Sequence, residues 1–102
     1  MDILFIMKEL KNFLDADGRL KKYPVKYKLQ VMSLFYLASK LEPGRRYTEK
    51  ELNHVLREWH TFEDWAILRR ALYDMRFMDR EPKGAYYWMV ETQPTLASFG
   101  FE

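Results

Sequence analysis

The sequence has 102 residues and a formal net charge of +2, a weakly basic balance that permits a nucleic-acid partner without requiring one. Its length fits one small domain, and its content of 48% hydrophobic and 17% aromatic residues excludes a disordered tail. The absence of cysteine excludes a disulfide scaffold, a zinc knuckle and a thiol enzyme.

Residues 2–14 are predicted to form a first helix, because apolar residues recur there at helical spacing: Ile3, Met7, Leu10 and Leu14. The first turns of this helix are apolar on nearly every side, so they either insert between other elements or meet a second copy of the chain. We favour the second arrangement, a homodimer through the N-terminal helix. No apolar run approaches the ~20 residues of a membrane span. Because the apolar start also lacks the basic leader and cleavage site of a secretory signal, we expect a cytoplasmic protein with no membrane contact.

The next segment contains a polar turn and a basic stretch. Asp15, Asp17 and Gly18 favour a turn that ends the first helix, since the calcium-loop template fails in either register. Residues 19–28 then carry five basic side chains and no acidic one. A central helix is predicted over residues 25–41, and its almost continuously apolar middle predicts that it is the most buried element.

Two closely joined amphipathic segments, residues 48–59 and 62–75, predict a helix-turn-helix pair. The first begins with a capping box, in which Thr48 accepts from the amide of Glu51 and the Glu51 side chain reaches back. We predict Thr61 as the N-cap of the second helix. The side chains of the second helix that are expected to be buried are Trp65, Leu68, Leu72 and Met75.

After these helices the hydrophobic period changes from helical to alternating, which predicts a β-hairpin over residues 77–91. Proline and glycine in the short link over residues 81–84 mark its turn. One face of the hairpin must pack on the helices, and we assign Tyr86 and Trp88 to the core and Tyr87 to the outside. Residues 91–102 are predicted to be a tail with little regular structure.

Together these elements predict an α+β, mainly α, fold: a winged helix-turn-helix with an extra N-terminal helix and a C-terminal β-hairpin wing. Residues 1–90 form its single domain. In such a domain the helix after the turn enters the major groove and the hairpin lies along the phosphate backbone. The sequence is therefore interpreted as a DNA-binding transcriptional regulator. The alternative is a protein-interaction or dimerisation module of a regulator that binds no nucleic acid directly.

Donor side chains on the solvent-facing sides of these elements are the candidate contacts to double-stranded DNA. We expect Asn53, Arg70 and Tyr73 to face bases. The side chains expected to contact phosphates are Lys50, Arg57, Arg80 and Lys83. The neighbouring Arg69 is expected to brace the two helices through a carboxylate, with three candidates: Glu51, Asp64 and Asp74.

No catalytic or metal-binding constellation is expected. The chain has no glycine-rich phosphate loop and no serine with a plausible base nearby. His54, Glu58, His60 and Asp64 are of the types that bind metals, but zinc needs three or four converging ligands and His60 lies past the helix end. We therefore predict no enzymatic activity, no metal and no cofactor.

Several stretches carry a resemblance to a known family. They are residues 47–53, with the sequence Tyr-Thr-Glu-Lys-Glu-Leu-Asn, and residues 68–74, with the sequence Leu-Arg-Arg-Ala-Leu-Tyr-Asp, followed by Arg80, Gly84 and residues 86–88. With them the chain resembles, over most of its length, the prokaryotic family catalogued as domain of unknown function 2087. Members occur alone or attached to helix-turn-helix regulators, so the resemblance implies a winged-helix-like domain and a role in transcriptional control. The family has no established biochemical activity.

Overall fold

Residues 3–101, which the computed structural model of the protein describes, form four α-helices and three β-strands. The helices are α1 (Ile3–Glu9), α2 (Tyr27–Ala38), α3 (Glu49–Glu58) and α4 (Trp65–Asp74). The strands are β1 (Tyr47–Thr48), β2 (Met78–Arg80) and β3 (Tyr86–Met89). The longest helix has 12 residues, fewer than the ~20 that cross a bilayer, so no helix in this part of the chain can span a membrane.

The three strands form one antiparallel sheet in the order β1-β3-β2. Tyr87 lies in the middle strand, opposite Tyr47 on one side and Arg80 on the other. The predicted α+β class is therefore confirmed, and the residues predicted as a hairpin form β2 and β3. Gly84 in the turn between them has a φ of +69°, a left-handed conformation that glycine adopts without strain.

Helix α2 lies at the centre of the core. Every residue from Val31 to Ala38 is buried, as the continuous apolar run predicts. Helix α1 packs against α2 and buries Ile6 completely. On another side Phe35, Phe77 and Phe99 form an aromatic cluster with ring centroids 4.9 to 5.9 Å apart. The tail after β3 therefore packs onto the core through Phe99.

The first two helices are shorter than predicted. The N-terminal helix, predicted over residues 2–14, ends at Glu9, and Leu14 is extended and bridges to Leu20. Residue 2 lies outside the described residues. The central helix, predicted over residues 25–41, starts two residues later and ends three residues earlier. Apolar periodicity continues past both ends because the flanking apolar residues are also buried, so it does not mark where a helix stops.

A turn centred on Asp15 folds the chain back after α1. Its Oδ1 accepts hydrogen bonds from the amides of Asp17 at 3.0 Å and Arg19 at 2.8 Å. The bond from the Arg19 amide is the main cause that lowers the pKa of the Asp15 carboxyl. Gly18 has a φ of +79°, and its carbonyl oxygen accepts from the Tyr36 hydroxyl at 2.6 Å. The turn therefore fixes the start of the basic stretch against α2.

The capping box predicted at the start of α3 is confirmed. Thr48 Oγ1 accepts from the amide of Glu51 at 3.1 Å, and Glu51 Oε1 accepts from the amide of Thr48 at 2.8 Å. The hydrogen bond from the Thr48 amide is the main cause that lowers the pKa of the Glu51 carboxyl. Glu51 is therefore held in its ionised form at the N-terminus of α3, where the helix dipole favours a negative charge.

A buried histidine joins α3 to α4. His60 is 4% exposed, and both of its ring nitrogens are hydrogen-bonded to the backbone. Its Nδ1 donates to the Leu56 carbonyl oxygen, and its Nε2 accepts from the Asp64 amide at 3.0 Å. This pair of bonds requires the neutral ring with its proton on Nδ1.

The N-cap of α4 is Asp64, so the prediction of Thr61 is wrong. The Asp64 side chain accepts from the amide of Ile67 at 3.3 Å. Thr61 lies outside the helix, where its amide donates to the Leu20 carbonyl oxygen at 2.9 Å. Glu63 has a φ of +50°, which turns the chain sharply just before the helix. This turn moves the helix start from Thr61 to Asp64.

The pleat of β3 is the reverse of the predicted one. Tyr87, expected outside, is 5% exposed, whereas Tyr86, expected in the core, is 39% exposed. Trp88 is half-buried on the outer face, with the Arg46 guanidinium 5.0 Å from its ring centroid. Aromatic residues occupy both faces of this strand, so the alternation alone does not fix which face lies inward.

Replacing the observed cap of α4 should destabilise the protein more than replacing the predicted one. Asp64→Ala removes the acceptor for the Ile67 amide and should lower the free energy of unfolding by about 1 kcal/mol. The matched control Thr61→Ala keeps the backbone bond to Leu20 and should change it by less than about 0.5 kcal/mol. Urea unfolding followed by tryptophan fluorescence measures both variants, and equal losses would contradict the assignment.

Candidate nucleic-acid interface

Three of the predicted contact residues lie together in a cleft between α4 and the hairpin, which we name the arginine cleft. It has a volume of about 280 Å³ and is lined by Glu49, Arg69, Arg70, Tyr73, Asp74, Arg80 and Tyr87. The Arg80 guanidinium lies 4.8 Å from the centroid of the Tyr73 ring, so the hairpin cation packs on the helix aromatic. The Arg70 side chain is 82% exposed, and its Nε lies 3.4 Å from an Asp74 carboxylate oxygen.

One side of the arginine cleft is a hydrogen-bonded network around Arg69, whose side chain is only 19% exposed. Its Nη1 donates to Asn53 Oδ1 at 2.5 Å, and its Nη2 lies 3.5 Å from Glu49 Oε1. The Tyr87 hydroxyl donates to the same Glu49 oxygen at 3.5 Å. Arg69 therefore braces α3 against α4 as predicted, but it does so through Glu49 and Asn53 rather than through any of the three predicted carboxylates.

Three further predicted contacts, Lys50, Asn53 and Arg57, line a second depression, which we name the α3 groove. It has a volume of about 700 Å³ and extends along α3 to Trp65. The Arg57 guanidinium lies 3.8 Å from the centroid of the Trp65 ring. Within residues 3–101, no carboxylate lies within 4.0 Å of the Lys50 or Arg57 cation. Both cations are therefore available to an external anion.

The seventh predicted residue, Lys83, lies apart from both surfaces. It is exposed in the turn between β2 and β3 and lines neither the arginine cleft nor the α3 groove. The two surfaces themselves adjoin, because Arg69 of the cleft is hydrogen-bonded to Asn53 of the groove. The structure thus brings six of the seven predicted residues to adjoining surfaces and leaves one at the hairpin tip.

Both surfaces mix cations with carboxylates. Three guanidiniums and two carboxylates line the arginine cleft, and three cations and two carboxylates line the α3 groove when its histidine is neutral. Each surface therefore carries an excess of one positive charge. Because the carboxylates partly cancel the field of the cations, neither surface attracts a phosphate as strongly as an all-basic patch would.

Arg46 closes the outer face of the sheet, a role that the sequence pattern did not indicate. Its guanidinium lies 4.9 Å from the ring centroid of Tyr86 and 5.0 Å from that of Trp88, and it pairs with Glu81. The reversed pleat of β3 creates this contact, because it places both aromatic rings on the outer face. The correct pleat would have been needed to find it from the sequence.

Among residues 3–101, no three or more histidine, cysteine or acidic side chains are placed to hold a metal ion. His54 and Glu58 lie one helical turn apart, with His54 Nε2 3.2 Å from Glu58 Oε1. His60 is engaged with the backbone at both ring nitrogens. The two histidines therefore serve different local contacts.

Comparison with known proteins identifies the family. The model of the family described as "Uncharacterized protein conserved in bacteria (DUF2087)" matches residues 19–89, more than half of the chain. The chain belongs to this family. The matched region contains α2 to α4, the whole sheet and all seven predicted contact residues, whereas α1 precedes it. Comparisons with curated proteins and with solved structures gave no match.

The two adjacent arginines of α4 should differ in their effect on stability. Arg69→Ala removes two polar contacts between α3 and α4 and should lower the free energy of unfolding by about 1–3 kcal/mol. Arg70→Ala removes only an exposed ion pair within α4 and should change it by less than about 0.5 kcal/mol. Both variants make the same replacement in the same helix, so each serves as the control for the other in urea unfolding. A larger loss for Arg70→Ala would contradict the bracing role of Arg69.

Proposed function

We propose that the protein is a winged-helix DNA-binding regulator of transcription, cytoplasmic and without enzymatic activity. The order of elements from α2 through β1, α3 and α4 to the β2–β3 hairpin is that of a winged-helix domain. The pairing of the first strand with the last supports the same assignment. In this proposal α3 and α4 are the helix-turn-helix, α4 enters the major groove, and the hairpin is the wing.

The observation that carries the proposal is the meeting of Arg70 and Arg80 in one cleft. One guanidinium comes from the exposed face of α4 and the other from the hairpin. A duplex that receives α4 in its major groove and the hairpin on its backbone brings a phosphate past this cleft. Guanidinium groups are suited to phosphate because they donate two hydrogen bonds at once.

The ion pairs inside the cleft do not prevent this role. The pair between Arg70 and Asp74 joins residues four apart on an exposed helix face, and such pairs contribute only about 0.3–0.5 kcal/mol. Among residues 3–101, no carboxylate lies within 4.0 Å of the Arg80 guanidinium. A phosphate that binds between the two arginines therefore replaces one weak contact.

The other predicted residues extend this surface. Lys50 and Arg57 in the α3 groove, and Lys83 at the hairpin tip, supply further phosphate contacts on either side of α4. Tyr73 is proposed to face bases with Arg70. Asn53 uses its oxygen on Arg69, so its side-chain amide is the donor that remains for DNA.

DNA titrations at several salt concentrations test the proposed function. Fluorescence anisotropy with a labelled random duplex should give an affinity that falls steeply with salt. The double variant Arg70→Ala/Arg80→Ala should reduce the slope of log affinity against log salt by ~1.8, because each lost phosphate contact contributes ~0.9.

The matched control is Lys8→Ala/Lys11→Ala, which also removes two positive charges, from α1 and the turn after it. It should leave the slope unchanged. An absence of binding to the wild-type protein at low salt would overturn the proposed function, and equal losses in both double variants would overturn the role of the arginine cleft.

A second candidate function, self-association through α1, is supported by exposed apolar side chains. Leu4 is 72% exposed and Met7 is 37% exposed, while Ile6 of the same helix is buried against the core. A homodimer would bury the exposed side chains and, with DNA, would present two copies of α4 to paired half-sites. Without DNA binding, the same contact would make the chain a dimerisation module.

Sedimentation velocity tests the homodimer. The wild-type protein should shift from monomer to dimer as its concentration rises, and Met7→Glu should favour the monomer because it places a charge in the contact. Asn12→Glu, exposed in the turn after α1, is the control and should associate like the wild type. A wild-type protein that stays monomeric at every concentration would exclude this contact.

A further inference from the structure

The positive charge of the chain is concentrated in one short segment. Residues 19–28 carry five basic residues and no acidic one, whereas residues 29–101 carry ten basic and ten acidic residues. The net positive charge therefore does not come from the helix-turn-helix or the hairpin. It lies in the stretch over residues 20–28, which we name the lysine segment.

Two contacts place the lysine segment along α4. At its start, Leu20 is hydrogen-bonded to the residues just before α4: its amide donates to the Trp59 carbonyl oxygen at 2.8 Å, and its carbonyl oxygen accepts from the Thr61 amide at 2.9 Å. At its end, the Tyr27 hydroxyl lies 4.0 Å from the sulfur of Met75, which caps the C-terminus of α4. The segment therefore runs beside α4 over the length of that helix.

The segment and the hairpin contact different sides of α4. The hairpin meets Tyr73 through Arg80, whereas the segment meets Met75. Successive residues of a helix are ~100° apart, so Tyr73 and Met75 point in nearly opposite directions. Arg70 lies between those two directions, on the exposed side of the helix. The exposed face of α4 is thus bordered by a basic element on each side.

The lysines of the segment face the solvent. Leu20 and Pro24 are buried and anchor the backbone, while Lys21, Lys22 and Lys26 are exposed. Within residues 3–101, no carboxylate lies within 4.0 Å of these three ammonium groups. The order of buried and exposed residues therefore presents unpaired cations beside α4.

We propose that the lysine segment binds the phosphate backbone of duplex DNA on the side of α4 opposite the hairpin. When α4 lies in a major groove, the two strands that border the groove pass on either side of it. The hairpin and the arginine cleft contact one border, and Lys22 and Lys26 contact the other. This inference rests on the proposed function and adds a second backbone contact to it.

The test compares two double variants with equal loss of charge. Lys22→Ala/Lys26→Ala should reduce the salt slope of binding to a random duplex by ~1.8 and weaken binding about 60-fold at 0.1 M salt, as follows from ~0.9 per contact. Lys8→Ala/Lys11→Ala should bind with the wild-type slope. Both exchanges are at exposed positions, and urea unfolding checks that each variant is folded.

The outcomes separate this inference from the proposed function. If the wild-type protein binds DNA, and Arg70→Ala/Arg80→Ala lowers the slope while Lys22→Ala/Lys26→Ala does not, the lysine segment is not a DNA contact and the proposed function stands. If both lysine pairs lower the slope equally, the effect is one of overall charge and the inference fails. If the wild-type protein does not bind, both fail together.

Discussion

The placement of α3 relative to α4 depends on the buried ring of His60. One ring nitrogen binds the carbonyl end of α3 and the other binds the amide that precedes α4, so a side chain as well as the loop joins the two helices. The backbone of Leu20 is bonded to the residues on either side of His60. The lysine segment is therefore fixed at the same junction as the two helices, and all three elements take their positions from it.

Features that depend on neighbouring residues were predictable from the sequence. The capping box of Thr48 and Glu51 needs only residues three apart, and it forms as predicted. The burial of α2 follows from an unbroken apolar run, and the hairpin follows from a proline and a glycine between alternating segments. In each case the local preference and the tertiary structure agree, so the pattern is sufficient.

Features that depend on distant residues were not predictable. The cap of α4 lies at Asp64 because Glu63 takes a left-handed conformation and His60 binds the following amide, and neither property is visible in the spacing. The pleat of β3 was ambiguous because aromatic residues occur on both faces. For the candidate site, the positions of the donors on their elements were predictable, whereas the partners of Arg69 were not, since they come from another helix.

The aromatic cluster determines how the folded unit is bounded. The family match covers residues 19–89, yet Phe99 stacks on Phe77 at 5.9 Å and Ile6 is fully buried beneath α1. A fragment cut at the family bounds would expose apolar surface on two sides and would be prone to aggregate. For this chain the unit that folds is larger than the unit that defines the family, and both flanks belong to its interior.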